Sequence, residues 1–115
     1  MPLLKLQVSV HIDDAKRADL LKELSRIVAK GIGKPEKYVM VTIDQGAAIM
    51  SGEIGDAAFA DVRSIGGLDS RVNKALSSNI CGLLKDALGI PGDRVYVNFT
   101  NVEGGNWGCN GSTFG

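Results

Sequence analysis

Scarce cysteine, scarcer histidine and no surplus of charge narrow this 115-residue chain before any pattern is considered. Two cysteines, Cys81 and Cys109, cannot build a disulfide framework or a thiolate metal cage; one bridge or two thiols in a reducing cytosol stay open. A single histidine, His11, leaves a Cys/His metal site without ligands and would have to serve alone in any histidine-based triad. It sits on an alternating strand pattern near a turn, where a plain strand-end role fits, so no metal is expected. Thirteen basic residues balance thirteen acidic ones, which argues against a nucleic-acid partner bound by bulk phosphate neutralisation. No apolar run is long enough to span a bilayer, so no membrane partner is expected. The N-terminus lacks a basic region followed by an apolar stretch, which points to a cytoplasmic protein. The carboxylates are dispersed, with no paired constellation for glycoside chemistry.

What is present is an apolar content of 44% against 23% charged residues, a globular balance at the size of one domain over residues 1–115. Leu4, Leu6, Val8, Val10 and Ile12 alternate with polar residues, predicting a strand with one buried face. Asp13 and Asp14 offer helix caps, and Ala18, Leu21, Leu24, Ile27, Val28 and Ile32 form a stripe that ends at Gly31 and Gly33 before Pro35. Tyr38–Ile43 is apolar on both faces, as a buried strand would be. The second half repeats the plan: a strand over Ala57–Ile65, a cap at Asp69 or Ser70, a stripe of Val72, Leu76, Ile80, Leu83, Leu84 and Leu88, a stop at Gly89 and Pro91, then a strand over Val95–Phe99. Sliding the chain on itself by fifty-six positions lays Gly33, Pro35, Val39 and Val41 over Gly89, Pro91, Val95 and Val97. The expectation is an α+β fold of two pseudo-symmetric βαβ units, roughly residues 2–45 and 57–100, sharing a four-stranded mixed sheet with two helices on one face. One helical layer covers one sheet face, so a second subunit is expected on the other. The Gly-rich segment 101–115 carries Trp107 and Phe114, which suits packing at a subunit interface or the lining of a pocket.

Among residues able to do chemistry, Pro2 stands out. Trimming of Met1 would leave its nitrogen as a secondary amine, and burial or a nearby cation would lower that amine's pKa from a reference near 8, making a general base. Equally, Pro2 opens a strand where its missing N–H costs nothing. Lys34, held in a turn before Pro35, either neutralises a substrate carboxylate and lowers the amine's pKa or complements the helix dipole. Tyr96 and Asn98 share one strand face and either line a site or form ordinary pairs on a wet face. Gly104–Gly108 does not open a helix after a strand, so it is no phosphate cradle.

Met1-Pro2 opening a strand, Gly33-Lys34-Pro35 with Tyr38, Ser64-Ile65-Gly66, Cys81-Gly82-Leu83-Leu84, Asp93 to Asn98 and the ending Asn110 to Phe114 stand in order. Together they resemble the macrophage migration inhibitory factor family of the tautomerase superfamily, across essentially the whole chain. The resemblance implies a homotrimer whose three sheets enclose a channel, with active sites between subunits. It implies keto–enol tautomerisation of small aromatic keto acids, phenylpyruvate-like and dopachrome-like, with no cofactor. By that resemblance Pro2 is the catalytic base, Lys34 and the backbone of Ile65 beside Ser64 hold the substrate carboxylate, and Tyr96 and Asn98 arrive from the adjacent chain. Pro35, Tyr38, Trp107 and Phe114 resemble the apolar rim. The alternative it carries is a cytokine-like ligand of a CD74-like host receptor, secreted by a leaderless route. Three departures stand out. Residues 57–60 are Ala-Ala-Phe-Ala, so the Cys-x-x-Cys of mammalian members and its proposed oxidoreductase activity are absent. Cys109 stands where those members carry a rim tryptophan, with Trp107 two residues earlier. Arg63 replaces a common histidine, a change that favours acidic substrates or alters receptor contacts.

Overall fold

A computed structural model describes all residues 1–115. In chain order it runs β1 (Leu3–Val8), α1 (Asp14–Ile32), β2 (Met40–Gln45), the short hairpin β3 (Ile49–Met50) and β4 (Glu53–Ile54), β5 (Ala58–Ser64), α2 (Ser70–Leu88) and β6 (Val95–Asn101). A last hairpin, β7 (Gly108–Cys109) and β8 (Ser112–Thr113), ends the chain. Four strands form one mixed sheet in the order β2-β1-β5-β6. Parallel pairs β1–β2 and β5–β6 meet along an antiparallel β1–β5 seam, with Leu3 opposite Arg63 and Val8 opposite Ala58.

The helices are specified by their ends. Asp13 accepts a hydrogen bond from the Lys16 amide and Asp69 one from the Val72 amide, each satisfying an otherwise orphaned first-turn donor. Gly33 and Gly89 close the helices at φ 78° and 69°, a left-handed conformation that a side chain would oppose. Leu20, Leu24, Val28 and Ile32 of α1 and Leu76, Ile80 and Leu84 of α2 pack onto Leu4, Leu6 and Val8 of β1 and Ala58, Ala60 and Val62 of β5. Each Leu, Ile or Val so enclosed contributes about 1.5–3 kcal/mol over an exposed one.

Four expectations are corrected. The α1 stripe runs through Leu20, with Leu21 half-buried and Ala18 exposed, because the buried residues follow a strict four-residue step. Strand β1 ends at Val8, not Ile12, and His11 lies exposed beyond it. There the Ser9 hydroxyl donates to the Gly55 carbonyl at 2.9 Å and accepts from the Ala57 amide, beside a backbone bond from the Ser9 amide to the Ala57 carbonyl. Tyr38 belongs to a single 3₁₀ turn, Glu36–Tyr38, which Pro35 opens and which recurs after Pro91 as Gly92–Arg94; the strand itself starts at Met40. Finally, β2 is an edge strand with no fully buried residue, and only its Val41–Ile43 stretch is half-buried. Its outward face, Met40, Thr42 and Asp44, continues onto a largely polar sheet surface with Lys5, Asp61 and Asn98. No helix is long and apolar enough to cross a membrane.

Candidate active site at the sheet end

The register sets the start of β1 and β2 beside the ends of β5 and β6, so Pro2, Met40, Ser64 and Asn101 gather at one end of the sheet. Pro2 is fully buried, and its carbonyl accepts the Met40 amide at 3.0 Å, which ties the chain start to β2. Past β6 the chain folds back over this end. The Val102 amide donates to the Ser64 carbonyl at 2.8 Å, and the Phe114 amide donates to the Trp107 carbonyl at 3.1 Å. The Asn110–Gly111 turn, both residues at positive φ, reverses the strand direction and keeps Trp107 and Phe114 on the same side.

A cavity of about 630 Å³ opens there, lined by Pro2, Tyr38, Met40, Trp107 and Phe114, together with Met1, Leu3, Lys37, Arg63, Val102, Asn106, Gly108 and Cys109. Lys34 is half-buried outside the lining, and its Nζ donates to the Ile65 carbonyl at 3.3 Å. Gly67 shapes the neighbouring turn. At φ 83°, with Ile32 Cγ2 only 2.8 Å from where its Cβ would stand, only glycine lets the loop settle against α1 and the Lys34 stem.

The amine at the chain start is held below its ordinary value of 8.0, first by burial and then by repulsion from Lys34. Both act against the ammonium form. With Met1 in place this amine belongs to Met1 and the Pro2 nitrogen is an amide. Removal of Met1 would transfer the amine to Pro2, which is buried in the intact chain. A basic nitrogen with a lowered pKa, an apolar cavity and a nearby ammonium are the parts needed to move a proton on and off an acidic carbon.

Of the residues singled out in the sequence, the cavity brings together Pro2, Tyr38, Trp107 and Phe114; Lys34 and Ile65, bonded to each other, are not among its lining residues, although Lys34 is near enough to act on the amine at the chain start. Pro35 is exposed and does not line it. Ser64 does not face it either: the side chain is on the buried face of β5, and its hydroxyl donates to the Gly66 carbonyl at 2.7 Å, so it fixes the turn. Tyr96 and Asn98 lie elsewhere within one chain. Tyr96 is 67% exposed and borders a second hollow with Gln7, Ile49 and Phe59, while Asn98 is exposed on the open sheet face. Met40, Lys37 and Val102 line the cavity without any signal in the sequence; Arg63 had one, as a cation beside Ser64.

The family model for macrophage migration inhibitory factor matches residues 1–115. A macrophage migration inhibitory factor homolog of Trichuris trichiura is 38% identical over 99% of this chain and 100% of its own length. Among solved structures, a macrophage migration inhibitory factor-like protein of Entamoeba histolytica superposes with TM-score 0.95 at 34% identity, covering 98% of both chains. The homologue of Prochlorococcus marinus gives TM-score 0.93 at 41% identity over 98% of this chain and 99% of its own. The chain therefore belongs to the macrophage migration inhibitory factor family.

Proposed function

We propose that the chain is a keto–enol tautomerase of small aromatic 2-oxo acids, phenylpyruvate-like and dopachrome-like compounds, with the secondary amine of Pro2 as general base after Met1 is removed. The observation that carries this reading is the burial of Pro2 at the chain start in the lining of an apolar cavity, with Lys34 near enough to disfavour the charged form of the terminal amine. The Pro2 nitrogen takes a proton from the carbon next to the ketone, and the electron pair of that C–H bond moves through the new C=C onto the carbonyl oxygen. The same nitrogen, now an ammonium, delivers a proton to that oxygen to give the enol, or runs the two transfers in reverse, so no oxidant or reductant is consumed. Lys34, steadied by the Ile65 carbonyl, receives the substrate carboxylate with the Ile65 backbone and offsets the negative charge that develops. Tyr38, Trp107 and Phe114 enclose the ring.

The assembly proposed is a homotrimer with sites between subunits, in which a neighbouring chain supplies Tyr96 and Asn98. Support comes from apolar side chains left uncovered on one protomer: Met40, Phe59 and Tyr96 on the open sheet face and Ile49 and Ile54 on the β3–β4 hairpin. Sedimentation equilibrium should give three chains per particle.

The test of chemistry is the phenylpyruvate keto–enol assay on protein with and without Met1, and on Pro2→Gly. Retained Met1 or Pro2→Gly is expected to lower turnover by about 100-fold or more, the weight of a general base. Undiminished turnover in a folded Pro2→Gly protein would refute the mechanism.

A further inference from the structure

The cavity is unbalanced in charge although the chain is not. Two cations, Lys37 and Arg63, are among its lining residues and no carboxylate is, whereas the whole chain carries thirteen of each sign. The two cations differ. Lys37 places its Nζ 4.9 Å from the centre of the Tyr38 ring and is engaged there. Arg63 lies on the exposed face of β5, directly opposite Leu3 and so one residue from Pro2 in the ladder. Asp61, two residues back on the same face, accepts from Arg63 Nε at 3.3 Å and from Nη2 at 2.9 Å. That grip orders the guanidinium, while Nη1 makes no bond to the protein. Asp61 itself does not line the cavity.

Lys34 meets the Ile65 carbonyl two residues further along the same strand end, a backbone separation of about 6–7 Å at the rise of an extended chain. Arg63, paired with Asp61 and with Nη1 unbonded, therefore lines the cavity, with Lys34 beyond its lining and the apolar space of Leu3, Met40 and Trp107 beside it. A planar guanidinium with a free edge is built to receive a carboxylate.

We propose that Arg63 is a specificity-determining residue that selects 2-oxo acids bearing a second carboxylate at the end remote from the keto acid. This rests on the tautomerase reading and narrows its substrate class to aromatic dicarboxylates.

The experiment compares kcat/KM for para-carboxyphenylpyruvate and for phenylpyruvate in the Met1-free protein, Arg63→Gln, Arg63→Lys and Lys5→Gln. Lys5 is a cation of the same sheet face outside the cavity. The unmodified protein should prefer the dicarboxylate. Arg63→Gln should lower that preference about tenfold through KM, as loss of a charge-assisted contact would. Arg63→Lys should restore part of it, and Lys5→Gln should leave it in place. A preference unchanged in Arg63→Gln, or absent from the unmodified protein, overturns the inference. Calorimetry with 4-carboxyphenylacetate and phenylacetate reads the same contrast without turnover. Arg63-dependent binding with no tautomerase activity would sink the enzymatic reading alone; turnover with Arg63-independent discrimination would sink this inference alone.

Discussion

Gly31→Ala sets two opposed effects against each other at the contact between the helices. Gly31 is the next-to-last residue of α1, and alanine there gains helix propensity, about 0.5–1 kcal/mol over glycine. Against this, a Cβ at position 31 would stand 2.5 Å from Leu76 Cδ2 and 3.1 Å from its Cγ, where carbon atoms normally settle at about 3.5–4.0 Å. Leu76 is fully buried and has no solvent to swing into, so α1 and α2 must part or Leu76 must leave its rotamer, at about 1–3 kcal/mol. The clash wins, and the net expectation is a loss of about 1–2 kcal/mol, or roughly 4–8 °C in Tm. Urea unfolding at one fixed protein concentration is the assay, since an oligomer's stability depends on concentration. Leu76→Ala alone should cost about 2–5 kcal/mol, and combining it with Gly31→Ala should cost less than the sum, because the new methyl enters the space the leucine left. A Gly31→Ala protein more stable than its parent, or strictly additive costs, would refute the argument.

Most of the fold could be read from periodicity because its elements are long and amphipathic. The two α-helices start at Asp13 and Asp69 and stop at Gly33 and Gly89, each pair fifty-six positions apart, so caps, stripes and stops reinforce one another. Where elements are short the pattern has nothing to repeat. The β3–β4 hairpin has two residues per strand around Ser51 and Gly52, both at positive φ. It is held largely from outside, by Arg94 donating to the carbonyls of Met50, Glu53 and Asp56 from about forty residues away. The end of β1 misleads for a different reason. Ile12 is still buried, at 2% exposure, so hydrophobic alternation runs on past Val8, where the strand has ended.

The site divides along similar lines. Pro2 and Lys34 are marked by local chemistry, and Trp107 and Phe114 by the oddity of large aromatics on a glycine-rich segment. Ser64 and Ile65 are neighbours in sequence, yet β alternation sends the serine into the core and leaves the next carbonyl to accept from Lys34. Asn98 lies at the middle of β6 and Tyr96 toward its end far from Pro2, paired with Asp61 and Phe59. No conformational adjustment of a single chain brings them to the amine without breaking that register, so any contact they make there must come from another copy.

Two more outcomes follow from these contacts. Arg94→Ala removes three donated hydrogen bonds, of 2.8, 3.0 and 3.2 Å, from the β3–β4 region. Amide exchange over residues 49–54 should quicken and global stability fall by about 1–2 kcal/mol; unchanged exchange there would show that the hairpin holds itself. For Lys34→Gln the sign follows from the amine's two perturbations. Burial and Lys34 both lower the pKa of the amine at the chain start; with the same two causes acting on the Pro2 amine once Met1 is gone, kcat/KM should rise with pH through that lowered pKa and level off above it. Removing the Lys34 charge should move that inflection to higher pH, by less than the full shift because burial is the larger cause, while the lost carboxylate partner raises KM. The same depressed amine makes the unfolded chain the greater proton binder between its native value and 8.0, so stability grows as pH rises through that interval and is lost as it falls. An inflection that stays put or moves down in Lys34→Gln would separate Lys34 from the proton transfer and leave burial as the sole cause of the amine's neutrality.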